Sequence, residues 1–223
     1  MPYTVIGDKT VQMYVDMLGV SNIFSVLSDA QKIQYINFGQ QECANICKNN
    51  NLGSYLVSED MNSSTPMLIT SGTQIKIGSV GYVVKFEISA YDMNSIIGVQ
   101  AKKTSGVWSL PITTPNVFGE LAGYIDNVLA PDVAYNWMKD TLFIFVKSTY
   151  TFVTTTLTTF WGYRNAINVT ALIGNVDIPG DMEQLALSLI LRKVCLDQNI
   201  SLPQSVGQQI RTQCTNLNIK YPI

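Results

Sequence analysis

The residues that could perform chemistry in this chain are four cysteines and a few carboxylates, because the sequence contains no histidine. A Ser-His-Asp triad, a histidine proton shuttle and most zinc sites are therefore excluded. Cys43 and Cys47 are one helical turn apart, as two ligands of one metal would be. No second pair has a matching spacing, and Cys195 and Cys214 stand alone. Free cysteine behaves as a small buried hydrophobe, so we interpret Cys43 and Cys47 as core residues.

The carboxylates do not form a recognisable acid–base pair. Asp181 and Glu183 stand at the start of a helical pattern, where negative charge is favourable to the helix dipole. Glu59-Asp60 is an adjacent pair of the kind that is usually solvated, and nothing selects Asp177 or Glu87 as a glycosidase-like acid. The sequence has neither G-x-x-x-x-G-K-[ST] nor G-x-G-x-x-G, the two glycine-rich phosphate-binding motifs. We therefore expect no enzymatic activity, no cofactor and no metal.

The composition favours contacts with other proteins over contacts with nucleic acid. Charged residues make up 13% of the chain, about half of the usual ~25%, and Asn, Thr, Ser and Gln replace them. Such a surface costs little to desolvate in a subunit interface, although a genome biased toward Asn and Thr codons would have the same effect. The net charge is −2, and the longest basic runs are Lys102-Lys103 and Arg192-Lys193. Tight DNA binding needs a cationic stripe, so we expect none.

The N-terminus, MPYTVIGDKT, lacks the cationic and apolar regions of a signal peptide. No apolar run approaches the ~20 residues that a membrane helix needs. We therefore expect a protein made in the cytoplasm, with reduced thiols and no membrane contact.

Helical periodicity marks both ends of the chain. Residues 8–18 predict a short helix that stops at Gly19, and Ser28 with Gln31 predicts a capping box for a helix ending in Asn49-Asn50-Asn51. Within it, Gly39 suggests a close helix contact. Helical spacing returns at Asp181–Asp197, and Ser201 is a candidate cap for a last helix.

Between these helices the apolar period shifts to two, which predicts strands. Alternating segments occur at residues 74–77, 83–89, 95–101, 107–113 and 141–147, with a helical interruption near 117–128. A threonine-rich run, Thr154–Thr159, has high β-propensity and little apolar surface, which favours an exposed hairpin arm or an edge strand.

The predicted fold is α+β, with N- and C-terminal helices forming a helical body and an antiparallel β module, sandwich or barrel-like, inserted between them. The domains are residues 1–53 (N-terminal helices), 54–176 (β module with the threonine-rich arm) and 177–223 (C-terminal helices and tail). The helical parts form one body.

This order of features resembles the connector proteins (adaptor or tail-tubular-A-like proteins) of short-tailed DNA phages, including crAss-like phages. The resemblance is carried by the helix Ser28–Asn50, the strand Thr141–Val146, the strand Leu157–Tyr163 with Arg164, and the step Val176–Pro179 into the last long helix. It covers most of the chain as layout and short motifs.

The resemblance implies a virion protein at the head–tail junction that forms a homo-oligomeric ring of about twelve copies. Its partners would be the portal protein and the next tail or ring protein, and DNA would pass through the lumen without sequence-specific binding. The alternatives are another virion subunit, such as a tail hub, tube or capsid-decorating protein, and a ligand-binding β module.

Two segments are candidates for contacts with neighbouring subunits. The threonine-rich arm presents aromatic and apolar residues between its threonines, and the C-terminal tip ends in a proline-rigidified apolar sequence that either docks on a neighbour or folds back on its own helices. The candidate interface residues are Tyr150, Phe152, Thr155, Leu157, Phe160, Tyr221, Pro222 and Ile223.

Overall fold

The computed structural model describes residues 4–19, 21–62, 76–77, 81–101, 133–138, 141–147 and 156–221. The chain divides into two compact units. The helical unit contains residues 3–55 and 165–223, and the β unit contains Leu56–Arg164 together with residues 1–2. The α+β fold with a β insertion between two sets of helices is therefore confirmed. Residues 165–176, which the sequence assigned to the β module, belong to the helical unit.

Five α-helices are described in the helical unit: α1 (Val11–Leu18), α2 (Asn22–Ser25), α3 (Asp29–Asn50), α4 (Glu183–Asp197) and α5 (Gln204–Asn216). Short 3-10 turns occur at Gly53–Tyr55 and Gly180–Met182. Ser28 forms the predicted capping box: its amide donates to Gln31 Oε1 (3.0 Å) and Gln31 N donates to Ser28 Oγ (3.4 Å). The last helix begins after Pro203, so Ser201 does not cap it as predicted.

Helices α3 and α4 pack closely at Gly39, in the antiparallel sense. A Cβ atom at Gly39 would lie 2.5 Å from Ile190 Cγ1, so a larger side chain would force Ile190 to move. Ile36, Leu185 and Ile190 are fully buried around this crossing. The prediction of a close contact at Gly39 is confirmed.

Three helices end in the same Schellman motif, in which an asparagine adopts the left-handed conformation that usually requires glycine. These asparagines are Asn51 (φ 57°), Asn199 (φ 53°) and Asn218 (φ 52°). The next residue in each motif is apolar, and its amide donates to the carbonyl of a buried cysteine: Leu52 to Cys47 (2.9 Å), Ile200 to Cys195 (2.8 Å) and Ile219 to Cys214 (2.9 Å). The spacing Cys-x-x-x-Asn-[Leu/Ile] thus marks the ends of α3, α4 and α5.

The described strands of the β unit form two antiparallel sheets. They are β1 (Leu56–Asn62), β2 (Lys76–Ile77), β3 (Gly81–Glu87), β4 (Met93–Ala101), β5 (Val133–Met138), β6 (Thr141–Lys147) and β7 (Thr156–Arg164), with a 3-10 turn at Ser89–Tyr91. The strand orders are β1-β7-β4 and β2-β3-β6-β5, and every pair is antiparallel. The sandwich or barrel-like arrangement stays a prediction.

The threonine-rich segment does not form an exposed arm over residues 156–160. These residues belong to β7, the central strand of its sheet, which pairs with β1 on one side and β4 on the other. Phe160, for example, stands opposite both Glu59 and Val99. High β-propensity suits a strand paired on both sides as well as an edge strand, so the threonine run alone could not distinguish them. Tyr150, Phe152 and Thr155 lie outside the described residues.

Candidate functional site

A network of buried polar groups lies at the centre of the helical unit, around Asp177. Its carboxylate is fully buried and accepts the amides of Ile6 and Ile167, each at 2.8 Å, one on each oxygen. Its own amide donates to Gln40 Oε1 (3.0 Å), and the Tyr55 hydroxyl donates to its carbonyl. The bonds to Ile6, Gln40 and Tyr55 join segments that are more than a hundred residues apart in the sequence. Asp177 is therefore a structural acid that fixes the segment before α4.

Amide side chains of α3 hold the chain that returns from the β unit. Gln40 Nε2 donates to Ile167 O (2.8 Å), and Asn37 exchanges a pair of bonds with the backbone of Val169, both at 2.9 Å. Gln41 Nε2 donates to Asn165 Oδ1 (3.1 Å). The Asn37 side chain satisfies both the amide and the carbonyl of Val169, as a neighbouring strand would. The need to bond this returning chain explains why α3 carries the uncharged polar residues Asn37, Gln40 and Gln41.

The segment that precedes α1 runs antiparallel to the chain before α4. Thr10 and Asn175 form a β-bridge, and a Cβ at Gly7 would lie 2.0 Å from Val176 O, so only glycine fits there. Lys9 forms an ion pair with Glu183, the first residue of α4. Glu183 was predicted to stabilise the start of this helix through its dipole, and the ion pair gives it a second partner.

All four cysteines are buried, which confirms the interpretation of Cys43 and Cys47 as core residues. Cys43, Cys47, Cys195 and Cys214 are free thiols. Cys47 Sγ lies 3.3 Å from the sulfur of Met182. Burial raises the pKa of Cys47 to about 12 and the pKa of Cys43 well above its ordinary value. Both thiols are therefore protonated at neutral pH, and a metal ion would have to displace these protons in order to bind.

The remaining carboxylates of interest are dispersed. Asp181 is exposed before α4, and Glu59, Asp60 and Glu87 lie in strands β1 and β3. Within the described residues, no group of three or more His, Cys, Asp or Glu side chains is placed to hold a metal ion. Over the same residues, no helix is long and apolar enough to cross a membrane.

The sequence analysis predicts that Phe160 is an interface residue. In the structure Phe160 is instead a core residue of the β unit. Its side chain is 0% exposed. Its ring meets the edge of Tyr91 at a centroid distance of 5.2 Å and an interplanar angle of 82°. Leu157 lies in β7, but its side chain is outside the described residues. The interface prediction thus fails at the one aromatic of this segment whose side chain is described.

The C-terminal tail folds back on α3 as far as Tyr221. Lys220 N donates to Asn50 Oδ1 (2.7 Å), and the Tyr221 hydroxyl donates to Glu42 Oε2 (3.1 Å). Ile219 is buried. Of the two alternatives for the tail, folding back is the correct one for Tyr221. Pro222 and Ile223 lie outside the described residues, so their docking on a neighbour stays a prediction.

Sequence reasoning missed two surfaces of the helical unit that expose apolar side chains. The first, here the α4–α5 surface, consists of Leu196 in the last turn of α4 and of Ile200 and Leu202 in the connection to α5. The second, here the α1-turn surface, consists of Met13 in the first turn of α1 and Ile173 in the turn that packs on it. Neither follows a helical or alternating period, so a search for amphipathic patterns does not find them. The sequence indicates these surfaces only through apolar residues that stand among polar, turn-forming residues.

No protein-family model matches this sequence, and no curated protein is significantly similar to it.

Proposed function

We propose that this protein is a structural subunit of a virion, a ring-forming connector that joins the portal to the tail of a short-tailed DNA phage. The supporting observation is the layout of the chain. Residues from both ends build one helical unit, and an antiparallel β unit is inserted between α3 and α4. The connector proteins that the sequence resembles have the same order of helices, β insertion and helices.

The short motifs of the resemblance occur at structurally important points. Tyr163 and Arg164 end β7 and are both buried, at the residue where the β unit finishes. Val176–Pro179 is buried throughout and contains Asp177, the acid that fixes the entry to α4. These motifs therefore carry out folding roles that would be shared by proteins with this layout. The proposal is supported because the motifs that carry the resemblance lie at the positions where the β unit ends and α4 begins.

In this proposal the protein performs no catalysis and needs no cofactor. Its role is to form a closed ring, of about twelve copies, below the portal at the head–tail junction. A chain with a net charge of −2 allows DNA to pass through the ring without adhering, because like charges repel.

A binding experiment with two kinds of capsid tests the proposal. Purified protein is mixed with phage heads that contain the portal and with shells that lack it, and bound protein is measured after sedimentation. The proposal predicts binding only to portal-containing heads, at ring stoichiometry. Equal binding to both shells would identify a capsid-decorating protein, and binding to neither, with a persistent monomer, would contradict a connector.

A further inference from the structure

The end of α3, the end of α5 and the C-terminal tail enclose an open groove of about 750 Å³, here the tail groove. Ligand sites commonly measure about 300–1,000 Å³, so the groove can hold a short peptide segment. None of the described residues that line it is acidic. Its polar lining consists of three amides, one hydroxyl and two cations: Asn49, Asn50, Asn218, Thr215, Arg211 and Lys220.

The unpaired cations of the helical unit are concentrated around the tail. This unit contains seven lysines and arginines. Four of them have a partner: Lys9, Lys32, Lys48 and Lys193. The other three form no ion pair with any residue that the structure describes: Arg192, Arg211 and Lys220. Two of these three line the tail groove.

The third cation, Arg192, lies close to the tail as well. Burial, followed by the effect of Glu42, raises the pKa of Tyr221 to about 12, and the positive charge of Arg192 opposes this rise. Glu42 is the acid beside the tail. Both of its carboxylate oxygens accept hydrogen bonds, from Tyr221 at 3.1 Å and from Asn45 at 3.5 Å. The tail is therefore surrounded by three cations and by one acid whose two oxygens are already bonded.

The helix ends account for only part of this positive charge. Both α3 and α5 end at the groove, and a helix C-terminus carries about half of a negative elementary charge. Schellman bonds already satisfy terminal carbonyls of both helices, from Leu52 to Cys47 and from Ile219 to Cys214, each at 2.9 Å. Two helix ends together amount to about one negative charge. An excess of positive charge therefore remains for a ligand.

The amides of the groove are suited to a peptide backbone. Asn50 already bonds an extended segment here: Lys220 N donates to its Oδ1 (2.7 Å), and its Nδ2 donates to Lys220 O (3.3 Å). Asn49 and Asn218 line the same groove, and both are exposed. A carboxamide has one acceptor and two donor hydrogens, so each can bond the amide and the carbonyl of a second extended chain.

We propose that the tail groove binds an extended, acidic peptide segment of another protein. The carboxylates of that segment pair with Arg211 and Lys220, and its backbone bonds to Asn49 and Asn218. Charge complementarity of this kind steers a partner and sets its register. The inference goes beyond the proposed function and does not depend on it, because any protein with such a segment could be the partner.

The groove is less suited to nucleic acid. Nucleic-acid sites use a row of cations that follows the phosphates, whereas two cations line this groove among the described residues. Single strands are also bound by stacking of their bases on aromatic rings, and no described residue that lines the groove is aromatic. The amides favour a ligand with alternating donors and acceptors, which is the pattern of a peptide backbone.

Fluorescence anisotropy tests the proposal with the full chain at low salt. The probe is a labelled peptide in which aspartates alternate with serines, and its control has asparagine in place of each aspartate. The aspartate peptide should bind at least about tenfold more tightly than the control, and its affinity should fall as salt screens the charges. No binding of the aspartate peptide at about millimolar concentration would overturn the proposal.

Substitutions locate the binding site. Arg211→Gln and Lys220→Gln should each weaken binding about threefold, and together about tenfold, as expected for exposed ion pairs. Arg211→Lys keeps the charge and should bind almost as the unmodified protein does. Lys32→Gln is the matched control: it removes the same charge, but Lys32 pairs with Asp29 at the other end of α3. Circular dichroism should show folded variants, because Arg211 and Lys220 are exposed.

Four further results would each overturn the proposal. An equal loss of affinity in Lys32→Gln would show a general effect of charge. Tighter binding of oligothymidine than of the peptide would identify a nucleic-acid site, and displacement of the peptide by millimolar inorganic phosphate would identify a site for small anions. Binding that appears only after removal of residues 222–223 would show that the chain fills its own groove. None of these results bears on the portal-binding experiment, so the two proposals fail independently.

Discussion

The helical unit and the β unit are stabilised by different kinds of polar contact. In the helical unit, side chains of α3 and the carboxylate of Asp177 satisfy backbone groups that are more than a hundred residues away in the chain. In the β unit, backbone ladders between strands satisfy these groups, and glycines allow close approach. Close approaches at glycine occur in both units, so the difference lies in the polar contacts: the helical unit depends on individual side-chain atoms, and the β unit depends on strand pairing. The two units should respond differently to single substitutions.

The tryptophans make this comparison measurable. All three lie in the β unit, at Trp108, Trp137 and Trp161. Tryptophan fluorescence therefore follows unfolding of the β unit, and far-ultraviolet circular dichroism of the helices follows the helical unit. The two signals separate local effects from global ones in one urea titration.

The largest expected effect is that of Asp177→Asn. Asparagine offers one acceptor oxygen where the carboxylate offers two, so the amide of Ile6 or Ile167 would face an NH₂ group. A buried unsatisfied donor and the loss of a charged hydrogen bond together should cost the helical unit about 3 kcal/mol. The helical signal should shift to lower urea before the fluorescence signal. Asp181→Asn is the matched control, because Asp181 is exposed and should change stability by less than about 0.5 kcal/mol.

The next effect concerns space in the β unit. A Cβ atom at Gly98 would lie 2.1 Å from the Trp161 ring, so Gly98→Ala must displace the indole. Overpacking of this kind should cost about 2 kcal/mol and appear first in the fluorescence signal. Gly53→Ala is the control, since nothing lies within 4 Å of its added Cβ. In a Trp161→Ala background, Gly98→Ala should cost little stability because the ring is gone. An equal loss of stability in that background would show that a clash with the ring is not the cause.

A smaller effect is expected from the buried thiols. Cys47→Ala should cost about 1–2 kcal/mol by leaving a space beside Met182. Because the pKa of Cys47 is raised from 9.0 to about 12, the neutral thiol stabilises the fold below pH 9, and this contribution is lost as the pH rises toward 12. Cys47→Ala should therefore show a flatter alkaline decline in stability than the unmodified protein. Stoichiometric zinc in the purified protein, lost in this variant, would refute a structural role.

The smallest effect is expected at the three helix ends. Asn199→Ala should cost about 1 kcal/mol, because alanine lacks the tolerance of asparagine for a positive φ of 53°. Asn199→Gly should be neutral or slightly stabilising. Asn216→Ala, within α5, is the control and should not destabilise, since alanine is the better helix former. Equal losses at both sites would contradict the role of the left-handed cap.

Local signals in the sequence predicted local structure well. The capping box at Ser28, the close approach at Gly39 and the burial of Cys43 and Cys47 were predicted from residues within one or two helical turns, and all three are confirmed. The threonine run failed because strand order depends on which distant segments pair with it. A central and an edge strand have the same local preference.

The candidate surfaces were harder to predict. Phe160 has an aromatic side chain that suits an interface, but only the fold places it in the core beside Tyr91. Ile173 and Leu202 are ordinary apolar residues in turns, and only the fold shows that they are exposed. Nothing in the sequence distinguishes Asp177 from the other acidic residues. Its role is visible only in the fold, where its carboxylate accepts the amides of Ile6 and Ile167. In each case a long-range contact, invisible to periodicity, decides the role.

The symmetry of the protein in assembled phage tests the central proposal most directly. Particles are imaged at the portal vertex, with the mass of the bound protein measured on the same preparation. The proposal predicts a closed ring of about twelve copies immediately below the portal. Density distributed over the capsid shell, or a single copy per particle, would contradict it.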